Sequence, residues 1–231
     1  MLRAAGTMTN NEQGVEHMVL CHNDTNWQLG GPPRAMFELR HRRFFVEHGW
    51  RAGLLAYRGI EFDKYDTPAA TYLVCRDEHG AIAGSVRLSP TDLPYMLQEN
   101  WPEMCAKRPL PETAAAWEFT RFVVERSLSE EIRKSTKAEL VAALFEYGLM
   151  NGIEEMIGVA PPIVWRRIFV EAGCALEYLG PERSIGTDIC VAGLLRINAA
   201  QLAKVRMTTG ITGPVLFRPN SDGGSHQGET A

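Results

Sequence analysis

The chain has 231 residues, 45% of them hydrophobic, with 24 Lys and Arg against 28 Asp and Glu for a formal net charge of −4. That is enough apolar material for a sizeable core. The mildly acidic balance lacks the basic stripe of a nucleic-acid binder, so small-molecule or protein partners are expected and nucleic acid is not. Five cysteines (Cys21, Cys75, Cys105, Cys174, Cys190) are odd in number and far apart, without a C-x-x-C pair. This spacing excludes a disulfide framework and the usual zinc sites, so no metal is expected. With no leader-like start and no apolar run of about 18 residues, a cytoplasmic protein that does not cross a membrane is expected.

In chain order, residues 1–15 read as a polar, disordered extension, 16–218 as a single domain and 219–231 as a disordered tail. A short strand at 17–21 begins the fold. The helix after Pro33 places Met36, Leu39 and Arg43 or Phe44 on one side and ends at Gly49. Trp50 to Pro68 mixes Gly, Arg, aromatics and acids without a period, and reads as a long functional loop. Segments 70–76 and 81–88 flank Asp77-Glu78-His79-Gly80 and predict a hairpin; 90–111 is a connection. Trp117–Val124 alternates aromatic and β-branched residues and predicts a strand buried on at least one face. Thr136-x-x-Glu139 reads as a capping box opening a helix that runs to Asn151-Gly152. A strand at 156–160, a helix at 162–172 closed by Gly173, and strands near 175–179 and 188–197 complete the core. The order predicts a mixed α/β or α+β sheet covered by helices.

The chemistry centres on Trp117-Glu118-Phe119-Thr120-Arg121-Phe122-Val123-Val124. A carboxylate and a guanidinium inside an apolar strand must be paired or used. In a regular strand Glu118 and Arg121 face opposite sides, so one shared site requires a bulge or a site that wraps the strand's edge. Other charges also sit among aromatics. Arg40 shares a helix face with Phe44, Asp63 and Asp66 lie in Glu61-Phe62-Asp63-Lys64-Tyr65-Asp66, Arg87 lies in Ser85-Val86-Arg87-Leu88, and Trp50 opens the acidic segment. Taken singly, these read as a solvated helix face, turn formers, an edge charge and a core anchor.

Taken together, Arg40-x-x-x-Phe44-x-x-x-x-x-Trp50, Glu61-Phe62-Asp63-x-Tyr65-Asp66, Arg87 and Glu118-x-x-Arg121-Phe122 resemble, in order and spacing, the signature of the acyl-homoserine-lactone synthases, the LuxI-like family. The resemblance covers roughly residues 15 to 215. It implies a fold like that of the GCN5-related N-acyltransferases, with a bulged, splayed central strand, and a two-step reaction that makes a quorum-sensing signal. The α-amine of S-adenosylmethionine, a co-substrate, attacks an acyl thioester on acyl carrier protein or coenzyme A. The methionine carboxylate then displaces methylthioadenosine and closes the lactone. No further cofactor is implied.

An α-amine has a pKa of about 8, so a modest base suffices, and Glu118, directly or through a water, is the candidate. Arg40 is grouped with it at the catalytic centre. The sulfonium and ammonium of S-adenosylmethionine call for carboxylates and aromatic faces, which Asp63, Asp66, Trp50, Phe44 and Phe122 supply. Asp63 and Asp66 are equally suited to pairing with Arg40, Arg87 and Arg121, and both roles are expected. One of those arginines would grip the methionine carboxylate, and Thr120 lies in the same run. Met96, Leu97, Trp101, Leu144, Leu149, Ile157, Val159 and Trp165 are candidates for an acyl cavity or for ordinary core.

Family members that prefer 3-oxo chains tend to carry a Thr on the strand matching 156–160. Here Gly158 and Val159 offer no hydroxyl, which points to a chain without a 3-oxo group. Arg166, Arg167, Lys204 and Arg206 form either a docking face for an acidic carrier protein or a solvated surface. Two rivals remain. A conventional coenzyme A-dependent N-acyltransferase is opposed by the lack of glycine in Ser127–Lys137, where a pyrophosphate loop belongs. The other rival is a non-catalytic relative that binds S-adenosylmethionine or an acylated carrier.

Overall fold

The computed structural model describes residues 19–22, 33–49 and 55–217. The expected extension at 1–15, the tail at 219–231 and Trp50 lie outside these residues. Among the described residues, nine strands form one sheet. They are β1 (Val19–His22), β4 (Thr71–Arg76), β5 (Ile82–Pro90), β6 (Ala116–Val124), β7 (Glu155–Ala160), β8 (Leu176–Tyr178), β9 (Arg183–Ile185), β10 (Asp188–Arg196) and β11 (Leu216–Phe217). The order across the sheet is β11-β1-β4-β5-β6-β7-β10-β8, with β9 on β10.

The pairs β6–β7 and β1–β11 are parallel, and the other neighbours are antiparallel. Two parallel neighbours need a crossover, and the long helix α3 (Glu130–Met150) is the one between β6 and β7. Strands β4 and β5 are buried along almost their whole length. Helix α3 packs against both, and α1 (Arg34–Arg40) also packs on β5. Such a strand reads as a continuous apolar run rather than an alternation.

The hairpin at 70–88, the central strand and the end of α3 lie where the sequence placed them, and α1 continues as a π-helical segment, His41–Glu47, before Gly49. Two expectations are corrected, and one helix was not anticipated. Thr136 and Glu139 are inside α3, which begins six residues earlier; Ser129 is its N-cap and accepts from the Ile132 N–H at 3.2 Å. Glu139 instead accepts from the Cys75 thiol at 3.2 Å. Replacing Ser129 with Ala is expected to cost about 1 kcal/mol, read from the urea midpoint; an unchanged midpoint would reject this cap.

The second correction concerns the expected loop at 50–68, which contains a hairpin of β2 (Leu55–Tyr57) and β3 (Ile60–Phe62). Its turn residues Arg58 and Gly59 both have positive φ, 48° and 78°, the backbone of a two-residue type I′ turn. The helix not anticipated is α5 (Ala199–Thr209), which follows β10, capped by Asn198 accepting from the Gln201 N–H at 2.9 Å and ended by Gly210 at φ 79°. Those start and stop signals were present in the sequence. The 90–111 connection carries a short helix, α2 (Met96–Asn100), and a 3-10 turn, Pro102–Met104. The expected helix at 162–172 is α4 (Pro162–Val164) continued by a π-helical stretch, Trp165–Val170.

The feature that positions the site is a break in the middle of the sheet. The β5–β6 register shifts between Ser85 and Arg87, and Arg121 has φ 56°, a left-handed conformation unusual for any residue but glycine. Of the two options that the spacing of Glu118 and Arg121 left, a bulge or an edge-wrapping site, the bulge is present. On the other side, β6 and β7 pair only through Ala116–Glu118 and Glu155–Ile157, so the paired stretch ends beside Glu118.

Candidate active site

Helix α1, strand β3 with the turn after it, strand β5 and the bulge in β6 bring six charged side chains together. Arg40 donates through Nε to Glu61 at 2.6 Å and through Nη1 and Nη2 to both oxygens of Asp66 at 2.7 and 2.8 Å. Arg121 donates through Nε to Glu61 at 3.2 Å and through Nη2 to Asp63 at 2.5 Å. Arg87 lies 2.6 Å from Asp63 and 3.0 Å from Asp66. The contacts close a ring: Arg40, Glu61, Arg121, Asp63, Arg87, Asp66 and back to Arg40. Each charge touches two of opposite sign, and the ring sums to zero.

Such balance is what makes burial tolerable, because an ion taken from water without a partner costs several kcal/mol. Arg40, Glu61 and Arg87 are at most 1% exposed. Backbone and hydroxyl donors complete the set. The Tyr65 N–H bonds Asp63 at 2.8 Å, the Asp63 N–H bonds Asp66 at 2.8 Å, and the Tyr72 hydroxyl bonds Asp66 at 2.7 Å.

The ring sets the protonation of its members. Burial favours a neutral Asp66, but Arg40 and Arg87 outweigh it and hold that carboxyl well below the usual carboxylate range. Burial likewise opposes the charge on Arg40, yet Asp66 and Glu61 raise its pKa. Arg121 goes the other way. Burial, with Arg87 and Arg40 nearby, lowers its pKa despite Glu61 and Asp63. Among the described residues it is also the ring guanidinium with an arm to spare, since there its Nη1 meets only the Met96 sulfur at 3.7 Å, a weak acceptor.

Glu118 stands apart from the ring. It is 1% exposed, and its two oxygens accept the N–H groups of Met96 at 3.0 Å and Leu97 at 2.7 Å. These are first-turn amides of α2, whose N-cap Tyr95 makes no side-chain cap, so Glu118 caps that helix from another strand. Burial pushes its carboxyl up to about 7, against the pull of the two amides and of Arg87 and Arg121. A carboxyl balanced near neutrality is suited to accept and release a proton.

Other predicted residues divide. The Phe44 ring lies 5.6 Å from the Arg121 guanidinium, and Thr120 accepts from Arg87 Nε at 3.0 Å. Phe122 is not at the ring; it packs on Phe169, 5.6 Å between centroids, in the core beneath α3. The acyl-cavity candidates do not share one face. Leu97, Ile157, Trp101 and Val159 cluster with Met104 and Leu179 on the Glu118 side, and Met96 lies against Arg121. Leu144 and Trp165 belong to the core beneath α3, where the Trp165 indole N–H donates to the Val191 carbonyl at 3.0 Å. Leu149 is exposed on α3. Apolar character in a sequence does not say which side of the sheet a residue will face.

Glu61 is the ring member that sequence reasoning missed as a site residue, although it opened the motif. A fully buried Glu between two arginines has no local sequence mark. Of the cations read as either a docking face or a solvated surface, Arg166, Arg167 and Lys204 are exposed. Arg206 is taken up by Glu146 at 2.9 Å, which also accepts the N–H groups of Val215 and Leu216 and ties β11 to α3. A surface depression of about 500 Å³, lined by Lys64, Tyr65, Thr67, Pro68, Ala69, Leu93, Pro94 and Glu99, borders Tyr65 but includes neither Glu118 nor a ring member. The charges, not the depth of the surface, mark the site. Among the described residues, no group of His, Cys, Asp and Glu is arranged to hold a metal, and no helix is long and apolar enough to cross a membrane.

The profile of the family described as Autoinducer synthase matches residues 32–205, a span that takes in Glu118 and every ring member. The chain belongs to the autoinducer synthase family. This synthase is 31% identical over 189 residues to the acyl-homoserine-lactone synthase of Ralstonia nicotianae (strain ATCC BAA-1114 / GMI1000), a match covering 79% of this chain and 91% of that protein. Among solved structures it is similar to BjaI, a coenzyme A-dependent acyl-homoserine lactone synthase with SAM and isopentyl-CoA. That likeness has 25% identity and a TM-score of 0.77, over 88% of this chain and 93% of that one. It is also similar to TofI in a ternary complex with an inhibitor and MTA, with 28% identity and a TM-score of 0.67, over 81% and 96% of the two chains. The synthase is thus an acyltransferase of the acyl-homoserine-lactone synthase family, with the N-acyltransferase type of sheet and bulged central strand that the resemblance implied.

Proposed function

We propose that Glu118 is the general base and Arg121 the carboxylate anchor of an acyl-homoserine-lactone synthase acting on S-adenosylmethionine and an acyl thioester of coenzyme A or acyl carrier protein. The observation that carries this reading is a buried carboxyl at Glu118, held by two backbone amides, on the same strand as an Arg121 guanidinium whose Nη1, among the described residues, meets only the Met96 sulfur. The amine lone pair attacks the thioester carbon, the C–N bond forms, and the C–S bond breaks with its electron pair leaving on sulfur. Glu118 takes the amine proton, directly or through water, and returns it to the thiolate. A methionine carboxylate oxygen then attacks the carbon next to the sulfonium. That C–S bond breaks toward sulfur, releasing methylthioadenosine and closing the lactone.

Asp63 and Asp66 act through the ring. With their oxygens taken up by arginines, they fix the wall of the site and hold Arg121 in its left-handed bend. The uncommitted Nη1 exchanges the Met96 sulfur for the substrate carboxylate, a stronger acceptor. Replacing Arg121 with Lys removes the fork, and is expected to raise the KM for S-adenosylmethionine about tenfold or more; an unchanged KM would remove Arg121 from this role.

Similarity to a coenzyme A-dependent synthase supports coenzyme A as donor, and the exposed Arg166, Arg167 and Lys204 suit an acidic carrier protein. The test is mass spectrometry of the purified protein with S-adenosylmethionine and both panels of thioesters. Lactone and methylthioadenosine appearing in equal amounts support the reading and name chain and donor. Free thiol without methylthioadenosine would replace it with an ordinary N-acyltransferase.

A further inference from the structure

Ser89 sits directly opposite Glu118 in the β5–β6 pairing. Directly opposed residues of an antiparallel pair point their side chains to the same face, with Cβ atoms about 5 Å apart. Ser89 is 7% exposed, and among the described residues its hydroxyl has no hydrogen-bond partner. Glu118 does not serve, because its oxygens are turned to the Met96 and Leu97 amides. A buried hydroxyl left unpaired is destabilising, and this one stands beside the carboxylate that the reaction needs. The groups facing Glu118 are otherwise cationic or neutral: Arg87 from β5, Arg121 from β6, Tyr95 at the head of α2 and Cys105 after it. Among the described residues, none of them hydrogen-bonds the Ser89 hydroxyl.

We propose that the Ser89 hydroxyl contacts substrate, donating a hydrogen bond to a carbonyl oxygen of the acyl thioester. The proposal rests on Glu118 being the base. The amine that Glu118 deprotonates must bond to the thioester carbon, which places the acyl carbonyl within a few bonds of Glu118, on the face Ser89 shares. As the C–N bond forms, negative charge builds on the carbonyl oxygen, and a fixed donor there lowers the barrier. A 3-oxo chain carries a second carbonyl oxygen two carbons further on, with the same acceptor chemistry. The β7 strand offers no hydroxyl for it, since Gly158 and Val159 stand there.

The test uses the full chain, S-adenosylmethionine, and two thioesters of equal chain length, one 3-oxo and one unsubstituted, with methylthioadenosine release as the readout. Ser89→Ala is expected to lower kcat/KM by about tenfold or more, and Ser89→Thr, which keeps the hydroxyl, to lose less. Equal loss on both thioesters supports contact with the reacting carbonyl, and loss confined to the 3-oxo substrate supports contact with the outer one. Unchanged kcat/KM on both overturns the proposal and leaves a structural hydroxyl. The melting temperature is a second readout: Ser89→Ala is expected to match or exceed the wild type, and a clear fall would overturn the proposal by revealing a structural partner. If the wild type itself releases no methylthioadenosine with any thioester, the synthase reading fails and takes this proposal with it.

Discussion

Replacing Glu118 with Gln is expected to lower kcat for acyl transfer by about 10²- to 10⁴-fold, the usual worth of a general base, with the affinity for S-adenosylmethionine held within a few-fold. The wild-type rate should rise with pH through about 7 as the carboxyl ionises. The variant should keep only the limb contributed by the substrate amine, near pH 8. Single-turnover thiol release at a series of pH values, with calorimetric binding of S-adenosylmethionine, separates base from binding. A variant retaining near wild-type kcat at every pH would remove Glu118 from the chemistry.

The same carboxyl governs a part of the stability, with a sign opposite to that of an ordinary acid. Its folded pKa is raised from 4.5 to about 7, so its contribution is fully present below pH 4.5 and is lost as pH rises through 7. That difference in proton affinity corresponds to roughly 3 kcal/mol. The Glu118→Gln side chain would be neutral throughout and should flatten this window in a series of melting curves. The amide is not a silent replacement, since it offers one acceptor where the Met96 and Leu97 amides require two, and the head of α2 should loosen.

Replacing Asp63 with Asn is expected to destabilise the protein by about 3–5 kcal/mol, the cost of leaving a buried charge uncompensated. Asp63 receives Arg87, Arg121 and the Tyr65 N–H; the amide turns an N–H₂ toward one guanidinium and leaves the ring with net positive charge. Replacing Arg87 with Met in the same chain removes that excess, so the double variant should lose clearly less than the two single losses combined. An exposed pair such as Arg34 with Glu38, 2.8 Å apart, should cost no more than about 0.5 kcal/mol when broken. Urea midpoints read all of these, and a loss below about 1 kcal/mol for Asp63→Asn would mean that the ring carries no such energy. Acid should act late on the ring: Arg40 and Arg87 depress the folded pKa of Asp66, so its contribution is intact above the ordinary carboxylate range and lost only as pH falls below it.

Much of this was legible in the residues because the relevant rules are local or periodic. Alternation marked β6, β-prone runs on either side of a glycine-containing turn marked the β4–β5 hairpin, and the spacing of Glu118 and Arg121 called for a bulge or an edge-wrapping site, of which the bulge is present, with Arg121 at φ 56°. Other features escaped for equally physical reasons. The strands β2 and β3 are three residues each, too short to show a period. Thr136-x-x-Glu139 had the form of a cap but lay within a helix already capped at Ser129, because a capping box is recognised by the turn that precedes it and not by the two residues alone.

The sequence by itself determined the order of β4, β5, β6, α3 and β7, the family signature and the set of charges that had to find one another, since a buried ion cannot remain without a partner. Which partner each would take was decided only by the tertiary structure. Glu61 and Arg121 are sixty positions apart, and no local rule pairs side chains across such a distance. The ring, the capping of α2 by Glu118 and the division of the acyl candidates between two faces all depend on which strand lies beside which. That order is set by the burial of the whole sheet, and only the folded chain realises it.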